Sequence, residues 1–145
     1  MAFRRIIFRA KSIDGTWVYG DLHLLCDRPH IHTEQSAYPY AGKRAFIDPD
    51  TIGQYTGFKD SNGTDIYDGD IIQVNKKPYH QVKWLDEIGG FGLCNLATKR
   101  ELSRWPDRCL FSVPSQDWWK EFGREIVVVG NIYDNPDYLK KFVEK

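Results

Sequence analysis

The sequence predicts a mainly β protein, and two observations carry that expectation. Ile, Val and the aromatic residues number 41, against 16 for Ala, Leu and Met together. Side chains branched at Cβ or carrying a ring lose rotamer freedom on a helix and pack well on a pleated surface. Apolar and polar residues also alternate in short runs broken by Gly, Pro, Asn and Asp, the punctuation of hairpins and not of long helices. The expected organisation is a small N-terminal β unit over residues 1–50, followed over 51–145 by a β meander with a short C-terminal helix.

Phe3 to Ala10 reads as a strand, Asp14-Gly15 as a two-residue hairpin turn and Trp17-Val18-Tyr19 as the return strand, which Gly20-Asp21 ends. Residues 26–45 show no clear periodicity and read as a long loop or irregular hairpin, with a short strand near Lys43 to Ile47. Asp48 to Asp70 is rich in turns, with a short extended piece from Ile52 to Thr56 and turns at Asn62-Gly63 and Asp68-Gly69-Asp70. The meander then runs from Asp70 to Asn75, turns at Lys76-Lys77-Pro78, returns over Tyr79 to Leu85 with Val82 and Trp84 on one face, turns at Gly89-Gly90 and continues over Phe91 to Ala97. Ile126-Val127-Val128-Val129 is the strongest single strand signal. Asn135-Pro136-Asp137 starts a helix, because Asn suits the N-cap, Pro the first helical position and Asp the first turn.

Composition excludes several function classes. Lys plus Arg and Asp plus Glu both number 20, so no global field draws the chain to nucleic acid or an anionic membrane. No run approaches 18 apolar residues, and the N-terminal segment carries a charge every few residues without an apolar block, so neither a membrane span nor a signal peptide is expected. Three cysteines, Cys26, Cys94 and Cys109, make an odd count without a close pair and read as reduced thiols of a cytoplasmic protein.

Three blocks together resemble the YopX family of phage and prophage proteins. The first is Phe8-Arg9-Ala10-Lys11 with Asp14-Gly15-Thr16-Trp17-Val18-Tyr19-Gly20-Asp21. The second and most specific runs from Ile47-Asp48-Pro49-Asp50 through Gly53-Gln54-Tyr55-Thr56-Gly57-Phe58-Lys59-Asp60 to Asn62-Gly63-Thr64-Asp65-Ile66-Tyr67-Asp68-Gly69-Asp70-Ile71-Ile72. The third is Val129-Gly130-Asn131-Ile132-Tyr133-Asp134-Asn135-Pro136. The resemblance implies that the second part is an SH3-like β-barrel and that the protein is phage-associated, acting in the bacterial host cell. It carries no active site across, and the segments Leu22 to Arg44 and around Trp105 fall outside its pattern.

Two clusters of chemistry-bearing residues stand out. Asp60, Asp65, Asp68 and Asp70 share a glycine-rich stretch, but the calcium-loop pattern fails: Gly63 stands at position four instead of six, and no Glu closes the loop. These acids read as turn residues. His23, Cys26, His30 and His32 place four nitrogen or sulfur donors within ten residues, enough in number for tetrahedral zinc. Their spacing matches no familiar finger, Pro29 stiffens the middle, and a His-x-His pair on a strand puts both rings on one face, where they often meet only solvent. The cluster is therefore a weak candidate, and no metal or other cofactor is expected. No nucleophile elbow, phosphate loop or dinucleotide fingerprint is present, so no enzyme is expected.

Two binding roles remain. Lys76 and Lys77 at a hairpin tip, with Lys99, Arg100, Arg104 and Arg108 around Trp105, suit phosphate attraction with base stacking. Tyr55, Phe58, Tyr67, Trp84, Trp118 and Trp119 exceed what a core of this size readily hides, and Ile126 to Val129 as an edge strand offers a pairing surface. A protein partner or self-association is the favoured expectation, with nucleic acid as the alternative.

Overall fold

The structure, a computed structural model, describes residues 5–24, 28–33, 44–76, 79–86, 89–96 and 125–140. It is mainly β, with two antiparallel sheets, and the chain divides into two compact units, Met1–Gly57 and Phe58–Lys145. No helix among the described residues is long and apolar enough to cross a membrane.

The first unit contains β1 (Phe8–Lys11), β2 (Trp17–His23), β3 (His30–His32), β4 (Arg44–Phe46) and the start of β5 (Gly53–Lys59), with a 3₁₀ turn at Pro49–Thr51. The sheet order is β4-β3-β2-β1-β5-β6, where β6 is Asp65–Tyr67. The turn after β1 differs from the expected two-residue loop. Ser12 and Thr16 close three residues between them, through Ser12 N–H to Thr16 C=O at 2.8 Å and Gly15 N–H to Ser12 C=O at 2.9 Å. Only Gly15 takes a positive φ there, at 88°, the arrangement of a tight turn followed by a bulge. The Asp14 carboxylate secures the loop by accepting from the Ser12 and Thr16 hydroxyls and the Thr16 N–H.

β2 does not stop at Gly20-Asp21. It runs on to His23 because Gly20 adopts an extended φ of 154° that L side chains rarely reach. Beyond it Leu22 turns inward with Val18, and Ala10, Ile31 and Ile47 complete the core, packed also by Phe8 and Ile52. The irregular segment contains β3 and β4, each only three residues long. Asp48 caps the 3₁₀ turn by accepting from Asp50 N–H, while Thr51 Oγ1 accepts from Lys11 N–H at 2.8 Å and ties that turn to the end of β1.

The second unit contains the end of β5, β6, β7 (Asp70–Val74), β8 (Tyr79–Leu85), β9 (Gly90–Asn95), β10 (Ile126–Asn131) and a single short helix among the described residues, α1 (Asp137–Lys140). The meander falls where the sequence puts it, in the sheet order β10-β7-β8-β9. Asn75 and Lys76, both at positive φ, turn the chain after β7. Ile72, Val82, Leu93 and Ile126 of this sheet bury against Ile66 of β6, with Phe58, Val74 and Val128 packed around them. Trp84 lies past the reach of this core and is exposed, stacked edge-on to Phe91, whereas Leu85 is buried. Among the described residues the four strands form an open sheet and close no barrel.

Candidate metal centre

The acids of the turn-rich block are occupied structurally. Asp60 is buried, and its carboxylate accepts the N–H groups of Asn62 and Thr64 at 2.8 Å and of Val128 at 3.0 Å. Asp70 accepts from Tyr67 N–H at 2.7 Å, and Asp65 pairs with Lys59 at 2.6 Å. In the third block Asn131 Oδ1 accepts from the N–H groups of Tyr133 and Asp134, while Asn135 Oδ1 accepts from Asn131 N–H. Asp60 and Asp70 thus build turns, as their spacing suggested, whereas Asp65 stands in β6 and Asn135, expected to cap the helix, bonds back to Asn131.

The aromatic surplus divides. Tyr55 and Tyr67 are buried and belong to the interior, so they offer no partner surface. The outer edge of β10 is also engaged: Ile126 N–H donates to Ser61 Oγ, Ile126 C=O accepts from Ser61 N–H, and Val128 N–H goes to Asp60. Trp118 and Trp119 lie outside the described residues. Of the basic candidates, Lys76 sits exposed at its turn, with its carbonyl accepting from Gln73 Nε2. Lys77, Lys99, Arg100, Arg104, Trp105 and Arg108 lie outside the described residues, as does Cys26.

The histidines are brought together. In β3 the fully buried Ile31 fixes the pleat, so His30 and His32 face away from the core. β2 runs antiparallel beside it, with Asp21 opposite His32, Leu22 opposite Ile31 and His23 opposite His30. A one-residue slip of β3 would turn His30 and His32 into the apolar core and Ile31 out of it, so burial holds this register. Gly20 lets the strands meet, since a Cβ there would stand 1.8 Å from the His32 carbonyl oxygen.

The three rings form a half-buried patch. His23 stacks on His32 at 4.0 Å between centroids and on His30 at 5.1 Å, while His30 and His32 are 5.2 Å apart. One nitrogen from each ring lies within 4.8 Å of the others, the only such group of metal-donor side chains among the described residues. His30 Nδ1 lies 3.3 Å from the Arg28 carbonyl oxygen, which can only accept. In the neutral ring that contact assigns the proton to Nδ1 and leaves the Nε2 lone pair available. Burial lowers the His32 pKa from the usual 6.5, as do the neighbouring His23, His30 and Arg44, while Asp21 acts in the opposite sense. The lowered value favours the neutral His32 ring, whose free nitrogen lone pair can bind a metal. Phe46, opposite His30 on β4, meets its ring edge-on at 6.2 Å, and Arg28 lies over Phe46.

Three neutral imidazoles are borderline-soft donors suited to zinc and its neighbours in the first transition row. Zinc takes imidazole nitrogens at about 2.0–2.1 Å, so tetrahedral partners stand about 3.4 Å apart. The spread here is wider and the rings lie face to face, so binding requires them to splay about their side-chain torsions toward a common point. The alternating His30-Ile31-His32 pattern signalled the shared face in the sequence. The third ring and its neighbour Asp21 join through strand pairing, which no local motif encodes.

Comparison with known proteins places the chain without assigning an activity. A search of curated proteins finds no match. Among solved structures, the crystal structure of protein EF1440 from Enterococcus faecalis is similar, with a TM-score of 0.52 and 23% sequence identity over 94% of this chain and 99% of that one, a likeness of fold. The family model described as YopX protein matches residues 7–140, nearly the whole sequence, and the chain belongs to the YopX family.

Proposed function

We propose that this protein is a non-catalytic, phage- or prophage-associated binding protein of the bacterial cytoplasm, whose N-terminal unit takes up a divalent transition-metal ion through His23, His30 and His32. The observation that carries the metal reading is the convergence of three imidazole nitrogens within 4.8 Å from two paired strands whose register is held by burial. The phage association rests on family membership, and the cytoplasmic setting on the odd count of three cysteines, which suits a reducing compartment. For the second unit we keep an SH3-like barrel as the proposed fold, supported by the packing of Ile66 and Phe58 against the open sheet.

Calorimetric titration of chelator-stripped protein with Zn²⁺ tests the metal reading. The expected result is one ion per chain, with at least tenfold weaker binding in each of His23→Ala, His30→Ala and His32→Ala. Absence of saturable binding, or wild-type affinity in all three variants, would overturn it.

A protein partner or a second copy remains the companion reading. Tyr19 and Phe46, on the same face as the histidines, are 46% and 43% exposed, and amphipathic aromatics anchor interfaces. Light scattering with and without Zn²⁺ separates a concentration-dependent mass from a monomer.

A further inference from the structure

We propose that Asp21 is the fourth protein ligand of this centre, making a His₃Asp set that selects a tetrahedral ion of the zinc type; the proposal rests on the metal-binding reading above. Two adjacent cross-strand pairs, His23 opposite His30 and Asp21 opposite His32, define a four-cornered cell on one face of the β2–β3 ladder. Asp21 and His23 stand two residues apart on β2, as do His30 and His32 on β3, so all four side chains leave the sheet on the same side. Three corners carry imidazole, and the fourth carries the carboxylate.

Directly opposed Cβ atoms stand about 4.5–5.5 Å apart, so neighbouring side chains of such a cell can reach a point above its centre. The His23 and His32 rings, on one diagonal, already approach to 4.0 Å. Asp21 is exposed, and its carboxylate can turn inward without breaking the core. The neighbours beyond the cell fit less well: Arg44, opposite His32 on β4, is a cation, and Phe46, opposite His30, has no donor atom. Asp21 is thus the anionic donor that the pairing itself delivers.

The charge balance agrees. Three neutral imidazoles leave a dication with both charges, and one carboxylate reduces the centre to a single positive charge. Carboxylate oxygen binds zinc at about 2.0–2.2 Å, close to the imidazole distance, so the set closes without a size mismatch.

The test uses the full chain and compares wild type, Asp21→Asn, Asp21→His and His23→Ala. Zn²⁺ affinity is measured by calorimetry, and coordination by the visible spectrum of the Co²⁺ form, which is intense when the ion is tetrahedral and weak when it is octahedral. The expected outcome is tenfold or greater loss of Zn²⁺ affinity and a changed Co²⁺ spectrum in Asp21→Asn. Asp21→His is expected to restore tight binding by placing an imidazole at the same corner. Melting of the metal-free proteins, equal in wild type and Asp21→Asn, excludes a folding defect. If Asp21→Asn keeps wild-type affinity and spectrum while His23→Ala loses the ion, the three-histidine reading stands and the Asp21 proposal is overturned. If wild type itself binds no ion, both fail.

Discussion

Gly20 is the residue on which the histidine patch depends most directly. A methyl group at this position meets the His32 carbonyl oxygen at 1.8 Å, and the φ of 154° is itself unfavourable for any L side chain. Gly20→Ala is expected to cost about 2–4 kcal/mol by chemical denaturation, and to weaken Zn²⁺ binding by displacing β3. Unchanged stability would mean that β2 and β3 do not pair as closely as described. A second residue-scale prediction concerns Asp14. Hydrogen bonds from the Ser12 hydroxyl, the Thr16 hydroxyl and the Thr16 N–H lower its pKa from 3.8 to about 2. Because the folded value is the lower one, the contribution to stability is complete above the unfolded value and is lost as the pH falls from 3.8 toward 2. A carboxyl-detected NMR titration is expected to show Asp14 titrating near the bottom of that window, and a midpoint at the unperturbed value would mean that the hairpin bonds do not persist in solution.

At the scale of elements, the turn between β5 and β6 acts as a clamp. Asp60 bonds both to its own turn and to β10, and Ser61 bonds to β10, so one short hairpin tip satisfies the N–H groups of Ile126 and Val128. Asp60→Ala strips three N–H groups of their acceptor at a buried site. The expected cost is about 2–4 kcal/mol, since each unsatisfied buried donor costs about 1–3 kcal/mol and water reaches part of the cavity left behind. A denaturation midpoint equal to wild type would contradict this. The elements also show what was legible in the sequence. β7, β8 and β9 lay where alternation and the turn signals at Lys76-Lys77-Pro78 and Gly89-Gly90 put them, because hairpin partners are neighbours in the chain. The continuation of β2 was missed because Gly20 reads locally as a strand end, and only the close passage of β3 gives it another role. The histidine patch was legible only in part for the same reason: His-x-His is visible in one strand, but its meeting with His23 and Asp21 depends on a register set by the burial of Ile31 and Leu22.

For the molecule as a whole, the two compact units should answer differently to metal. The candidate ligands all belong to Met1–Gly57. An ion that binds only the folded form at a free concentration 100 times its Kd stabilises that form by about 2.7 kcal/mol. Hydrogen exchange with and without Zn²⁺ is expected to slow at the amides of β2 and β3, while those of β7 and β8 keep their metal-free rates. Equal slowing in both units would show that the ion stabilises the whole chain and not the unit that holds it.

The pairing of β7 with β10 has a consequence for how the chain is made. Val74 of β7 and Ile126 of β10 are direct partners, although about fifty residues separate them in the sequence. On the ribosome, therefore, the segment that follows Asp70 emerges long before its far-side partner and carries Ile71 and Ile72 with an open backbone edge. The hairpin with β8 can form at once, but the other flank waits until the last fifth of the chain has been synthesised. A nascent chain stalled before residue 125 is the species in which a chaperone would find this strand exposed.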